Sequence, residues 1–416
     1  MNAIVFSLNL FIILIIALIN KKKYKRITRI NFLYTLIWFV TLTITILNPL
    51  NLYDLNNSIY LYITCSLVLF NIFYYIFEPK VEDFSLITVK NKDIYNYKRI
   101  YILNLLAFIF VLPSLIHAIQ ILFSNGFDLS VVRNSIYLGI GNSGNDFQIL
   151  LTRTFPAAIF SITSMFGAIN LSSGEKKLLF LSIFDLIVYS ITFGGRLMIF
   201  NFIIFYFSSL ILQGYSIKYK NIKKMKYVLL FLIMITIFRF TSAVKFLEQI
   251  QLYFFSSLSY LSKMLNNPTD FGLNNKMYGY ITFSSLFEPF ILFGKLFFGW
   301  QIKVPSYYLN IYTQPFINIG KSSVIMLNNN CSFFYPFILD WGYIGIIIGP
   351  LLLLSVMLML KRNIIRKRSY LAYNLLIYFY SVLLTSNMFY KLNGISSSLA
   401  LIFIIICTKK IYVIKK

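Results

Sequence analysis

Apolar blocks of 16 to 22 residues recur along this chain, and they restrict its fold more than any other feature. At 1.5 Å per residue, such a block in helical form crosses a hydrocarbon layer about 30 Å thick. Backbone amides in that layer must be satisfied within the chain, so helices are the expected elements. Charged residues make up 12% of the 416, against about 25% in a soluble domain. With 58% apolar residues and a mean hydropathy of +0.75, an ordinary soluble enzyme is excluded. The expected fold class is an all-α polytopic integral membrane protein with about 11 transmembrane helices. A helix is expected at each of 3–20, 31–49, 59–77, 101–122, 154–171, 178–193, 197–213, 227–243, 336–360, 369–387 and 395–408. The start MNAIVFSLNL lacks a basic n-region and a small-residue cleavage site, so it reads as a retained first span.

The formal charge of +25 resembles that of a nucleic-acid binder. Its distribution does not, and no nucleic-acid partner is expected. Six alternate connections hold 27 of the 38 Lys and Arg: 21–29, 78–100, 175–177, 213–226, 361–368 and the tail from Lys409. Juxtamembrane cations are retained in the cytoplasm, so these connections lie inside. The N-terminus is then outside and the C-terminus inside, in agreement with an odd span count. Three stretches follow: 1–243 with eight spans and an external loop near 123–153, 244–335 as a large external loop with interfacial helices, and 336–416 with the last three spans and a cytoplasmic tail. The apolar stretch 281–300 is interrupted by Glu288, Pro289 and Lys295 and reads as interfacial or re-entrant helix.

Cys65, Cys331 and Cys407 form no CxxC pair, and His117 is the single histidine, so no metal site or cofactor is expected. Four exterior arginines are not explained by orientation: Arg133, Arg153, Arg196 and Arg239. A guanidinium offers a planar fork that matches phosphate oxygens. Arg196 closes FGGR (193–196), a turn between two spans of only 16 or 17 residues, which sets it at headgroup depth. An arginine there is costly unless it meets an anion, either a ligand phosphate or ordinary lipid. Among the exterior acids, Asp340 and Glu248 are candidate general bases. Asp340 reads equally well as a capping or hinge group beside Gly342 and Gly345, and Glu248 as a partner for a nearby lysine. Glu288 and Asp270 are weaker candidates. Asp185 reads as a satisfied intramembrane group and His117 as a structural polar contact. Asn310, Tyr312, Asn329 and Asn330 supply the uncharged hydrogen-bonding groups that a glycan needs.

The FGGR turn, one large external loop before the last three spans, NIYT (310–313) and FILDWGYIGIIIGP (337–350) together resemble the Wzy-type O-antigen polymerases of bacterial inner membranes. The resemblance implies a GT-C-like fold and a metal-independent glycosyltransferase related to the O-antigen ligases. Such an enzyme moves a growing glycan from undecaprenyl pyrophosphate onto the non-reducing end of a new lipid-linked repeat unit, within the lipid bilayer and with a chain-length regulator protein as a candidate partner. It implies that Arg196 and Arg239 hold the pyrophosphate. The ligases' histidine motif has no counterpart in 327–342, which leaves an asparagine, Asp340 or a late proton loss. Competing classes are a lipid-linked oligosaccharide flippase, which would concentrate polar groups in mid-span, and a ligase or another polyprenyl-sugar transferase.

Overall fold

The computed structural model describes residues 2–79, 94–125, 131–132, 135, 146–173, 177–213, 226, 230, 248, 251–328 and 331–409. The long helices described up to residue 213 are α1 (Asn2–Tyr24), α2 (Ile30–Leu47), α3 (Asn57–Phe77), α4 (Tyr97–Ser124), α5 (Phe155–Ser173), α6 (Lys177–Phe193) and α7 (Leu197–Leu212), with a short helical lead-in to α5 over Asp146–Thr154. Then come α8 (Ser257–Asn266), α9 (Ser284–Phe298) and α10 (Pro305–Thr313). After the hairpin β1 (Ile317–Asn318) and β2 (Met326–Leu327) follow α11 (Phe334–Trp341), α12 (Gly345–Lys367), α13 (Tyr370–Leu384) and α14 (Gly394–Cys407).

Among the described residues, six helical stretches are long and apolar enough to cross a membrane: Ala3–Tyr24, Ile30–Leu47, Asn57–Phe77, Tyr97–Ser124, Phe147–Leu171 and Phe334–Lys367. Helices α7, α13 and α14 are apolar but shorter. The chain is an all-α, multi-pass membrane protein. Helix stands at ten of the eleven expected positions; the other, 227–243, lies outside the described residues except at position 230. The 251–328 part of the long connection is folded, with three helices and the hairpin.

The residues pack into two compact units, each drawn from three separate stretches. The first comprises Met1–Glu82, Leu247–Arg362 and Val382–Ser398; the second comprises Asp83–Phe246, Asn363–Ser381 and Leu399–Lys416. This grouping cuts across the three consecutive stretches read from the sequence.

In the first unit, buried amides link α1, α2 and α3. Asn20 donates to Asn31 Oδ1 at 3.1 Å, Asn31 to Asn71 Oδ1 at 3.1 Å, and Asn71 to Thr35 Oγ1 at 2.9 Å. Between membrane helices, where apolar contact gives little net drive, such bonds are a main source of adhesion. At one end of this unit, Glu78 accepts from Arg29, from Lys361 and, at 2.6 Å, from Tyr74. The nearby carbonyls of Tyr75 and Phe77 accept from Lys23 and Arg362. Lys361 differs from its reading as part of a loose basic connection: α12 runs on to Lys367, and the Lys361 side chain is buried on Glu78. Burial works against charge on Glu78, but the Lys361 and Arg29 cations outweigh it and hold the carboxyl below its usual range.

The opposite, loop-rich end of this unit is held by the turn after α2. Asn48 ends that helix in the left-handed conformation and bonds both backbone groups of Leu52. The turn then pairs with the hairpin: Leu52 bridges Gly320, Tyr53 N–H donates to the Ile319 carbonyl, and Lys321 meets Asp54. In the second unit, Tyr95 bridges Thr408, Asn374 donates to Thr408 Oγ1 at 2.9 Å, and Gln213 donates to the Tyr373 hydroxyl at 3.0 Å.

Removing the carboxylate in Glu78→Ala leaves two cations without their counter-charge. The expected loss is about 3–5 kcal/mol, read as a lower midpoint in thermal melts of the detergent-solubilised protein. Because the folded pKa is depressed, the Glu78 contribution is present above the ordinary carboxyl pKa of about 4. It fades as the pH falls through the folded value, so wild type and Glu78→Ala should converge in acid.

Candidate functional site

Arg196 sits where the sequence places it, in the three-residue turn between α6 and α7. Gly194 supplies the bend at φ +57°, a conformation that favours glycine. Gly195 lies against the Tyr189 ring, where an added Cβ would stand 3.4 Å from it. Arg196 begins α7, its carbonyl accepts from Phe200 N–H at 3.1 Å, and its side chain is half-buried. The legs have 17 and 16 residues, about 25 Å each. The turn therefore carries a guanidinium at the limit of two short apolar helices.

Asp340 belongs to the first unit and Arg196 to the second. Asp340 is fully buried, and its carboxylate accepts two backbone N–H groups, from Ile281 at 3.2 Å and Thr282 at 2.6 Å. Its own carbonyl accepts from Tyr278 N–H, and the Leu339 carbonyl from Met277 N–H. Of the two roles open to Asp340 in the sequence, these contacts favour bracing. The carboxylate fixes the turn that leads into α9.

Helix α9 presents an unusual face inward. Leu286, Phe290, Phe293 and Phe297 are exposed, whereas Ser284, Glu288, Ile291 and Gly294 are buried. Its N-terminal turns are stitched to the segment before and within α14: Ser284 donates to the Leu392 carbonyl at 3.1 Å and to Asn393 Oδ1 at 3.4 Å, while Ser398 donates to the Ser285 carbonyl at 2.7 Å. Tyr390 donates to the Thr282 carbonyl. Glu288 is the acid enclosed by this arrangement. Its Oε1 accepts from the Ser306 hydroxyl of α10 at 2.6 Å, and its buried Oε2 carries no side-chain hydrogen bond among the described residues. Burial raises its pKa, against the opposing influence of Ser306, the Ile395 N–H and Lys295. Gly394, at φ +79°, lies next to this carboxylate; a Cβ there would stand 3.9 Å from Oε2.

The remaining expected residues are dispersed. Glu248 is exposed on helical backbone in the first unit. Arg153 is half-buried in the π-helical turn Leu150–Thr154 of the second. Asn310 and Tyr312 lie on α10, both half-buried, and a side chain at Gly272 would run into the Tyr312 ring. Arg133, Arg239, Asn329 and Asn330 lie outside the described residues. His117 is exposed on α4, which does not fit a buried polar contact. Asp185 is buried in α6 beside Thr163, which itself bonds Asn104, and one of its oxygens lacks a hydrogen-bond partner among the described residues. Among those residues, no group of three or more His, Cys, Asp and Glu converges as a metal-ligand set would. The Glu288–Ser306–Gly394 grouping was not legible in the sequence beyond the weak signals of a carboxylate inside an apolar stretch and an Asn-Gly pair at 393–394.

Compared with known family models, curated proteins and solved structures, the chain matches none.

Asp340→Ala leaves two buried N–H donors without an acceptor, each costing about 1–3 kcal/mol. We expect a clear drop in membrane-inserted protein on immunoblots and in melting temperature. Asp340→Asn keeps one acceptor oxygen and should lose less on both measures.

Proposed function

We propose that the chain is a surface-polysaccharide polymerase of the Wzy type in a bacterial inner membrane. It extends a glycan by moving it from undecaprenyl pyrophosphate to a new lipid-linked repeat unit on the outer face. In this reading the chain makes eleven crossings in a GT-C-like arrangement, with the N-terminus periplasmic and the C-terminus cytoplasmic. The alternation of basic connections supports it. So does the meeting of these connections within each unit: 29, 78 and 361 in one, and 94 and 409 in the other.

The observation that carries the proposal is Arg196 in a glycine turn between two short apolar helices. A polyprenyl tail fixes the depth of its own pyrophosphate at the headgroup level, which is where this turn would stand. The donor sugar is already activated, so the protein has mainly to orient two substrates and stabilise charge on the leaving pyrophosphate. Arg196 serves the second task, with Arg239, Arg153 and Arg133 as further candidates from the same side. Asn310, Tyr312, Asn329 and Asn330 remain candidates for the glycan.

A second reading, a lipid-linked oligosaccharide flippase, draws on Asp185, because intramembrane acids often mark transport paths. One experiment separates the two. A deletion strain of the polymerase type retains a surface band of core plus one repeat unit, whereas loss of a flippase removes repeat units altogether. In complementation, Arg196→Ala should collapse the ladder to that single-repeat band. Losing one such charge-stabilising donor lowers rates about 10²–10³-fold. Arg196→Lys keeps the charge but not the fork and should give markedly shorter chains. A full-length ladder from Arg196→Ala would remove the assignment.

A further inference from the structure

With Asp340 engaged by the turn before α9, the reaction proposed above still needs a group to receive the acceptor's proton. We propose, resting on that functional reading, that Glu288 is the general base that deprotonates the acceptor sugar hydroxyl. Three features of its surroundings carry this. The carboxylate is held by the Ser306 hydroxyl on Oε1 and approached by the Ile395 N–H from α14, while the buried Oε2 carries no side-chain hydrogen bond among the described residues. Oε2 is enclosed, and its wall on one side is the glycine at 394, where a Cβ would lie in van der Waals range of it. The opposite face of the same helix is apolar and exposed at Leu286, Phe290, Phe293 and Phe297. That face suits immersion in acyl chains, which would set the carboxylate at the depth of a lipid-linked substrate.

In the step itself, the acceptor hydroxyl oxygen bonds to the anomeric carbon of the growing glycan. The bond from that carbon to the pyrophosphate oxygen breaks, and its electron pair leaves with the lipid pyrophosphate. The hydroxyl proton passes to Glu288 Oε2. Burial supports the assignment by raising the carboxyl pKa, which makes it a better proton acceptor than a solvated carboxylate. The groups around it are Lys295 on its own helix, Tyr280 in the preceding turn, Ser306 on α10, and the Ile395 N–H of α14. Lys391, three residues before α14, is brought down to about 7 by burial.

The competing role is a purely structural one, an anion set at the N-terminus of α14, where negative charge is favourable. Glu288→Gln separates the two, because an amide oxygen still accepts from Ser306 and Ile395 but is not a base. The assay uses membranes of the deletion strain carrying the full-length chain, supplied with the lipid-linked repeat units that strain accumulates, over pH 5 to 8. In wild type the polymerisation rate should fall as the pH drops through the raised carboxyl pKa. Glu288→Gln should run about 10²-fold slower, at unchanged protein level, with that acid limb abolished. Ser306→Ala removes a bond that favours the charged form, so its acid limb should move to higher pH. If Glu288→Gln fails to accumulate, the Ser306→Ala profile decides. A full ladder from Glu288→Gln, or an unmoved limb in Ser306→Ala, overturns the base while leaving the polymerase reading intact. Absence of polymer from wild type would overturn the polymerase reading itself.

Discussion

Inside a bilayer, a charge or an open hydrogen-bonding group has no water to turn to, and the protein must satisfy it from its own atoms. Glu78 shows how this chain does so. One carboxylate, reached by Arg29, Lys361 and Tyr74, gathers the beginning of α2, the end of α3 and the later part of α12 at a single point. The amide chain Asn20–Asn31–Asn71 extends the same principle between the first three helices. Apolar length sets how deep each helix end can lie, and these polar contacts determine which ends meet.

The same constraint acts in reverse on α9. A water-soluble helix turns its acids outward and its phenylalanines inward; α9 does the opposite, with Glu288 enclosed and four large apolar side chains exposed. That inversion is consistent with a helix lying along a lipid surface rather than one packed within a soluble loop. It brings a carboxylate, a serine hydroxyl and a glycine turn from three separate elements into one place. Asp340 contributes from beneath, because the N–H groups of Ile281 and Thr282 that it accepts define how the chain enters α9.

Much of this architecture could be read from residue order. Block length located the helices, and interruption by Glu288, Pro289 and Lys295 set 281–300 apart from the other apolar blocks; α9 occupies part of it, with Glu288 buried. What escaped reading depends on partners distant in the chain. No local signal tells that Lys361 lies on a carboxylate 283 positions earlier, nor that Asp340 is engaged by amides 58 and 59 positions away. A carboxylate's type and neighbourhood in sequence suggest what it can do, but its contacts decide which of those roles is open. Asp340 and Glu288 exchanged rank on those grounds.

The pairing of the turn after α2 with the β1–β2 hairpin has a consequence for biogenesis. Leu52 and Asp54 leave the ribosome more than 260 residues ahead of Gly320 and Lys321, the residues that complete their contacts. Until then, the first hairpin of helices stands in the membrane with an unfinished rim, and Glu78 waits still longer for Lys361. A chain interrupted during synthesis is thus left with an open rim at one end of its first unit and a buried carboxylate short of one cation at the other, a state open to recognition by membrane quality control before any assembly can occur.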